Sequence, residues 1–266
     1  MNEKYGLKGL VHKLEQRKNK NWLRGSGIDH FSNYESFDLE FSPTGLVLSE
    51  TSYNHCAEIY GSTHFVYDDA GKLIREIEFD ETDTESAITE YEYSARRCTW
   101  IRREAGGIVT MRGLKEYQET SLTFSGTYGA DGLPRYLQFF EYEGDKLIKK
   151  TGKSHGPDGE LYEIWISNYD SLGRIRETFG LRPDGEPVGD GRYVFEYDEE
   201  GRQRKILSFN DTVDTDVPDS IRRFTYVLDK RGNWVERNDY WRFRSDSAWS
   251  KNKTTRKLTY YPQGGG

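Results

Sequence analysis

The sequence contains "NYDSLGRIRE" at residues 168–177 and then "EYDEEGRQRK" at residues 196–205. Both stretches place a tyrosine before an aspartate, and a glycine and an arginine shortly after it. In such a segment the aspartate accepts a hydrogen bond from the backbone two residues on, which starts a turn. The glycine then supplies the positive φ that completes the turn without a Cβ clash. The motif is therefore predicted to be the tip of a tight β-hairpin.

The same corner recurs along most of the chain. Gly45 and Gly71 are 26 residues apart, as are Gly159 and Gly185, and an internal period of this length indicates a repeat architecture. Looser corners end at Gly159, Gly185 and Gly232. The residues predicted to form the turns are Asp68, Gly71, Gly132, Asp170, Gly173, Asp198, Gly201 and Gly232.

The flanks of the corners alternate in polarity. Before Gly201, for example, Tyr193, Phe195 and Tyr197 occupy every second position. A period of two marks strands with one covered and one wet face, and an isolated hairpin needs neighbours to be stable. The sequence therefore predicts an all-β fold of consecutive antiparallel hairpins forming one curved sheet, a half-shell or an open barrel. Residues 1–266 are predicted to be a single domain of this kind.

The two ends of the chain depart from the pattern. Residues 1–30 form an N-terminal segment of uncertain structure, in which "LKGLVHKLEQRK", residues 7–18, has leucines at helical spacing. Gly9 weakens a helix there, so helix and strand both stay open. The tail "PQGGG", residues 262–266, is expected to be flexible.

Composition and charge restrict the function classes. A formal net charge of −7 disfavours nucleic acid as a partner and allows a basic protein. No run approaches the roughly 20 apolar residues that span a bilayer, so no membrane partner is predicted. The start of the chain has no apolar leader pattern, and Cys56 and Cys98 are the only cysteines. These features predict a cytoplasmic location.

A search for chemistry along the chain finds none. His55, Cys56 and His64 lack the short paired spacings of zinc sites. The acidic runs at residues 80–85 and 211–219 lack the register of a calcium loop. No phosphate loop or nucleophile elbow occurs. The sequence therefore predicts no catalytic residue, no metal and no cofactor, and the chain is expected not to be an enzyme.

One stretch stands out as a candidate binding surface, "NWVERNDYWRFRSDSAW" at residues 233–249. Trp, Tyr and Arg dominate binding hot spots because they combine large contact area with a polar group. Arginines stacked on aromatic rings could equally stabilise a thin sheet, and exposed rings could stack on sugars. The candidate partner-binding residues are Trp234, Arg237, Tyr240, Trp241, Arg242, Phe243, Arg244 and Trp249.

The corners "YDDAGKLIRE" (67–76), "YDSLGRIRE" (169–177) and "YDEEGRQRK" (197–205) resemble the YD repeats of Rhs-type bacterial proteins. In large members of that family the repeats coil a sheet into a hollow shell around a toxic C-terminal domain. A short chain of this kind resembles the accessory or immunity partners of polymorphic toxins. The resemblance implies a non-enzymatic, immunity-like protein that binds another protein, such as a basic toxin domain. A shell or scaffold fragment of the Rhs type and a carbohydrate-binding sheet protein are the alternatives.

Overall fold

The computed structural model describes residues 7–8, 10–18, 36–54, 56–209, 217–243 and 248–261. The described strands belong to one 18-stranded sheet in which strands adjacent in the chain are neighbours. They are β1 (Val11–Lys18), β2 (Phe37–Phe41), β3 (Val47–Tyr53), β4 (Ile59–Tyr67), β5 (Leu73–Phe79), β6 (Glu85–Tyr93), β7 (Arg97–Glu104), β8 (Val109–Gln118), β9 (Ser121–Gly129), β10 (Pro134–Glu143), β11 (Lys146–His155), β12 (Leu161–Tyr169), β13 (Ile175–Leu181), β14 (Pro187–Tyr197), β15 (Gln203–Phe209), β16 (Ser220–Leu228), β17 (Trp234–Phe243) and β18 (Ser250–Tyr260). The prediction of an all-β chain of consecutive hairpins is confirmed.

The segment left open between helix and strand is a strand, and it closes the strand order. Leu14 of β1 lies opposite Leu39 of β2 on one side and Leu258 of β18 on the other, both antiparallel. The first strand therefore pairs with the last, and no open edge remains at this seam. The sequence had predicted one curved sheet, a half-shell or an open barrel. It gave no sign of this closing pair, because a pairing between residues so far apart leaves no local signal.

The chain divides into two compact units. The first comprises Met1–Thr89, Phe224–Tyr240 and Ser250–Gly266, and the second comprises Glu90–Arg223 and Trp241–Trp249. A buried apolar cluster lies in the first unit and consists of Leu7, Val11, Leu14, Leu39, Phe41 and Val47. Burying a side chain of this size stabilises a fold by about 1.5–3 kcal/mol, so this cluster anchors the strands around the β1 seam.

The predicted corners are hairpin turns closed by hydrogen bonds of the aspartate. Asp170 Oδ1 accepts the backbone N–H of Leu172 at 2.9 Å and that of Arg174 at 3.0 Å. Gly173 has a φ of 74° and donates its N–H to the Asp170 carbonyl at 2.9 Å. The register of β12 and β13 shifts by one residue beside this turn, which is a β-bulge. The other predicted turn glycines, Gly71, Gly132, Gly201 and Gly232, also have positive φ.

Antiparallel pairing places successive turns at opposite ends of the strands. In the second unit the turns that carry Gly173 and Gly201 lie at one end, and those that carry Gly132, Gly159 and Gly185 lie at the other. Within this unit the full Tyr-Asp corners therefore occupy one end of the strands, and the corners of Gly132, Gly159 and Gly185 occupy the opposite end. The period of about 26 residues corresponds to two strands and two turns.

The tyrosine of the corner joins one turn to the previous turn at the same end. Tyr197 donates its hydroxyl to the carbonyl of Ile175 at 2.9 Å, across a separation of 22 residues. Tyr142 bonds to Leu122 in the same way at 2.9 Å, and in the first unit Tyr67 bonds to the carbonyl of Val47 at 2.8 Å. The repeat thus links neighbouring hairpins as well as reversing the chain.

Candidate binding surfaces

The charged residues of the corners are used within the turns. Arg174 donates Nε to Asp170 Oδ2 at 2.7 Å, and its guanidinium lies 4.7 Å from the ring centre of Tyr197. Arg202 makes the same 2.7 Å bond to Asp198. Burial acts to raise the pKa of Asp170, but the hydrogen bonds from Arg174 and Leu172 outweigh it and hold the pKa below its ordinary value of 3.8.

A shallow groove runs between these two turns. It is lined by Asp170, Arg174, Arg176, Phe195, Glu196, Tyr197, Asp198 and Glu199. Glu196 is paired with Lys205 at 2.9 Å, and Asp170 and Asp198 are held by the arginines of their own turns. These contacts assign the groove a structural role in the stacking of hairpins.

The described residues of the predicted stretch at 233–249 belong partly to the first unit and partly to the second. Trp234 and Arg237 lie in the first unit, where the Arg256 guanidinium sits 3.6 Å from the ring centre of Trp234. Arg237 lies over Phe224 at 5.4 Å. Burial of the Arg256 guanidinium, and to a smaller extent repulsion from the charge of Arg237, lower the pKa of Arg256 to about 9. These rings and guanidiniums pack against one another on the sheet and therefore have a structural role.

Four other predicted residues have separate outcomes. Tyr240 faces Lys251, whose ammonium is 5.3 Å from the ring centre. Arg244 lies outside the described residues. Trp241 and Phe243 contact each other edge to face at 5.3 Å, and alternation along β17 turns them away from the face that carries Arg242.

The part of the predicted stretch that the second unit brings together is centred on Trp249. The guanidiniums of Arg242 and Arg223 lie 4.8 Å and 4.9 Å from the Trp249 ring centre. The Trp249 side chain is 38% exposed, and Arg223 is also exposed. We call these three residues the Trp249 cluster. Arg223 was missed by the sequence analysis because it lies on β16, outside the aromatic stretch, and only the tertiary fold places it there.

The residues weighed as metal ligands are dispersed. His64 packs against Phe79 with ring centres 5.0 Å apart, while Cys56 is exposed and Cys98 is buried. Asp80 accepts the N–H groups of Thr82 and Thr84 in an ordinary turn. Among the described residues no group of three His, Cys, Asp or Glu side chains could hold a metal ion. His55 and residues 210–216 lie outside the described part of the chain.

A second feature of the second unit was not predicted, and it consists of glycines in the middle of strands. Gly113 lies opposite Trp100, and Gly180 lies opposite Trp165. The Trp100 indole fills the space that a Cβ on Gly113 would need, and the Trp165 indole lies 3.2–3.3 Å from the Cβ position of Gly180. Glycine inside a strand signals a close approach to the backbone. The period-two pattern alone does not identify which ring makes that approach.

Comparison with known proteins places this architecture among solved folds. No family model matches the chain, and no curated protein matches it. A porin-like protein from Bacteroides uniformis is similar over 94% of this chain and 98% of its own, with a TM-score of 0.50 and 12% identity. A porin-like protein from Bacteroides vulgatus covers 96% of this chain and 100% of its own, with a TM-score of 0.40 and 12% identity. At this identity the likeness to the first protein shows the fold alone.

The fold comparison corrects the predicted location. A cytoplasmic location was inferred from the apparent lack of a leader and from the small number of cysteines, and neither feature reports on the fold. The porin-like protein from Bacteroides uniformis shares the architecture over 94% of this chain, so the cytoplasmic prediction is wrong. Within the described residues there is no helix long and apolar enough to cross a membrane.

Proposed function

We propose that this chain is a non-enzymatic binding protein whose partner is another protein and whose contact site is the Trp249 cluster. The observation that carries the proposal is an exposed tryptophan whose ring centre lies 4.8 Å and 4.9 Å from two guanidiniums. Such a ring is held by its neighbours before binding, and pre-ordered Trp and Arg side chains dominate binding energy at protein interfaces.

The charge of the site refines the expected partner. The net charge of −7 favours approach by a basic protein, because long-range attraction follows the total charge. Arg223 and Arg242 make the Trp249 cluster itself cationic. We therefore expect the partner to place a carboxylate or an aromatic ring against the cluster, within a surface that is basic overall. The resemblance to Rhs-type repeats favours a polymorphic-toxin domain as that partner.

The composition of one strand argues against a porin-like function for this chain. A strand that spans a bilayer needs one apolar face toward lipid. On β18, Lys251, Lys253 and Lys257 occupy alternate positions on one face, and Arg256 lies on the other. The face that carries Arg256 also packs Leu258 against the apolar cluster, so the lysine face is the one turned away from that cluster, and its charges favour water over lipid. This supports a binding protein over a solute-conducting one.

Site-directed photo-crosslinking tests the contact site. A photoreactive benzoylphenylalanine at position 249 is expected to form a discrete crosslink to a protein in the native cells. The control places the same group at position 227, where Val227 is 50% exposed. Equal crosslinking at both positions, or none at 249, would contradict the proposal.

Calorimetry tests the partner class. Purified chain is titrated with purified polymorphic-toxin domains, and the Trp249→Ala variant is expected to lose about 2 kcal/mol of binding free energy with any domain that binds. Val227→Ala is the matched control and should bind as the parent does. Binding that is unaffected by Trp249→Ala would show that the contact lies on another surface and would contradict the proposed site.

A further inference from the structure

A second surface lies on the second unit, where aromatic rings rest on strand glycines. The Cη2, Cζ2 and Cζ3 atoms of Trp165 lie 3.2–3.3 Å from the position that a Cβ on Gly180 would occupy. Because these three ring atoms are equidistant from that point, the indole lies flat on the strand backbone. Trp165 is half-buried, so part of the ring stays accessible to solvent.

A tyrosine lies on the same face as this indole. The Tyr136 hydroxyl is 2.5 Å from the Cβ position of Gly152, and Gly152 is the cross-strand partner of Trp165. Gly152 also pairs with Gln138, which is two residues from Tyr136 on β10. Paired residues share a face, as do residues two apart on a strand, so Tyr136 and Trp165 lie on the same face, the tyrosine reaching over β11 and the indole over β13. Glycine at positions 152 and 180 makes room for both rings.

Polar groups border the two rings on that face. Gln138 Nε2 lies 3.5 Å from the Tyr136 hydroxyl. Ser154 pairs with Tyr136 on one side and with Glu163 on the other, which adds a hydroxyl and a carboxylate. The surface therefore combines flat apolar area with an amide, a hydroxyl and a carboxylate. We call Tyr136, Gln138, Gly152, Trp165 and Gly180 the aromatic platform.

We propose that the aromatic platform binds carbohydrate. A pyranose ring has an apolar face that can lie against an indole, and its hydroxyls at the ring edge need donors and acceptors of the kind that Gln138 and Glu163 supply. A ring lying flat on the sheet does not project far enough to fill a pocket on a protein partner. The site is separate from the Trp249 cluster, and the inference goes beyond the protein-binding function.

Affinity electrophoresis tests the platform. The chain is run in native gels that contain β-glucan, xylan, mannan or polygalacturonan, and at least one polysaccharide is expected to retard it. Trp165→Ala should weaken that retardation about tenfold. Tyr162→Ala is the matched control, because Tyr162 is 59% exposed and lies in the bulge at the start of the same strand, three residues from Trp165. No retardation by any of the four polymers, or an equal loss in the control, would overturn the inference.

Two further variants keep the test decisive. Gly180→Ala removes no ring but places a methyl group against Trp165, so it should lift the indole and weaken retardation. Trp249→Ala should leave retardation unchanged, which separates this site from the proposed protein contact. If Trp165→Ala fails to fold, as judged by its circular dichroism, Trp165→Phe replaces it and should keep part of the retardation. Full retardation with both Gly180→Ala and Trp165→Phe would contradict the platform.

Discussion

At the scale of single residues, each position of the Tyr-Asp corner has its own physical task. Asp170 collects the backbone N–H groups of the turn, Gly173 adopts the left-handed conformation, and Arg174 pairs with the aspartate. The tyrosine of the following corner, Tyr197, bonds back to the strand that begins after Arg174. The motif thus fixes the conformation of its own turn and forms a hydrogen bond to the strand that follows the previous turn at the same end.

Removing one tyrosine hydroxyl should break this hydrogen bond without disturbing the ring. Tyr197→Phe keeps the contact with the Arg174 guanidinium but leaves the Ile175 carbonyl without its donor. We expect a loss of about 1 kcal/mol in the free energy of unfolding, measured by urea denaturation. Tyr162→Phe, at an exposed tyrosine, should change nothing. Equal stability of both variants would show that the bond is not stabilising.

The turn aspartates should make stability depend on acid. Burial acts to raise the pKa of Asp198, but the hydrogen bonds from Arg202 prevail and lower it below 3.8. A carboxyl whose pKa is lowered by folding stabilises the fold above its unfolded value, and this contribution is lost as the pH falls through the folded value. Asp198→Asn should therefore lose less stability than the parent on acidification below 3.8. Denaturant titrations across that range measure this, with Glu199→Gln as the control.

At the scale of the hairpin, local sequence predicted most of the fold. The Asp-to-glycine corners and the alternation around them were enough to expect strands and turns in order. The turn at Ser94–Arg97, where "EYEYSARRCTW" has no glycine, still forms, with Ser94 donating to Arg97 at 2.8 Å. Segment 7–18 stayed ambiguous because its leucines fit a helical period, and only pairing with β2 and β18 resolves it.

At a turn glycine, the backbone strain caused by adding a side chain can be measured separately from any effect on packing. A Cβ on Gly173 would meet no atom within 4 Å, and its φ is 74°. Gly173→Ala should therefore destabilise the fold by about 1–2 kcal/mol through backbone strain alone. Gly173→Asn should cost less, because asparagine tolerates this conformation. Thermal unfolding of the two variants gives the order, and an alanine as stable as glycine would contradict the assigned turn.

At the scale of the whole molecule, the sequence left three things undecided. The pairing of β1 with β18 joins residues near opposite ends of the chain, and local pattern carries no register between them. The stretch at 233–249 was predicted to be one binding surface, but Trp234 belongs to the first unit and Trp249 to the second. The mid-strand glycines were visible, yet nothing local identified the rings that cover them.

One asparagine clasps the ends of the chain together in the first unit. Asn233 is 1% exposed, accepts the N–H of Lys8, and donates to the carbonyl of Lys8 at 2.9 Å and the hydroxyl of Tyr260 at 2.8 Å. Asn233→Ala removes three hydrogen bonds of a buried side chain and leaves the backbone N–H and carbonyl of Lys8 without this partner, so we expect a loss of about 3 kcal/mol. Lys230→Ala, an exposed change in the same turn, is the control for urea unfolding. A loss no greater than that of the control would show that the clasp is dispensable.

The tyrosine hydrogen bonds between corners at the same end of the strands restrict how the length of this chain can change in evolution. A duplication or deletion of one strand would put every later tyrosine at the wrong end, with no carbonyl to meet. Gain or loss of a strand pair keeps each partner in place. Genes of this lineage should therefore differ in length by steps of about 26 codons, and intermediate lengths should be rare.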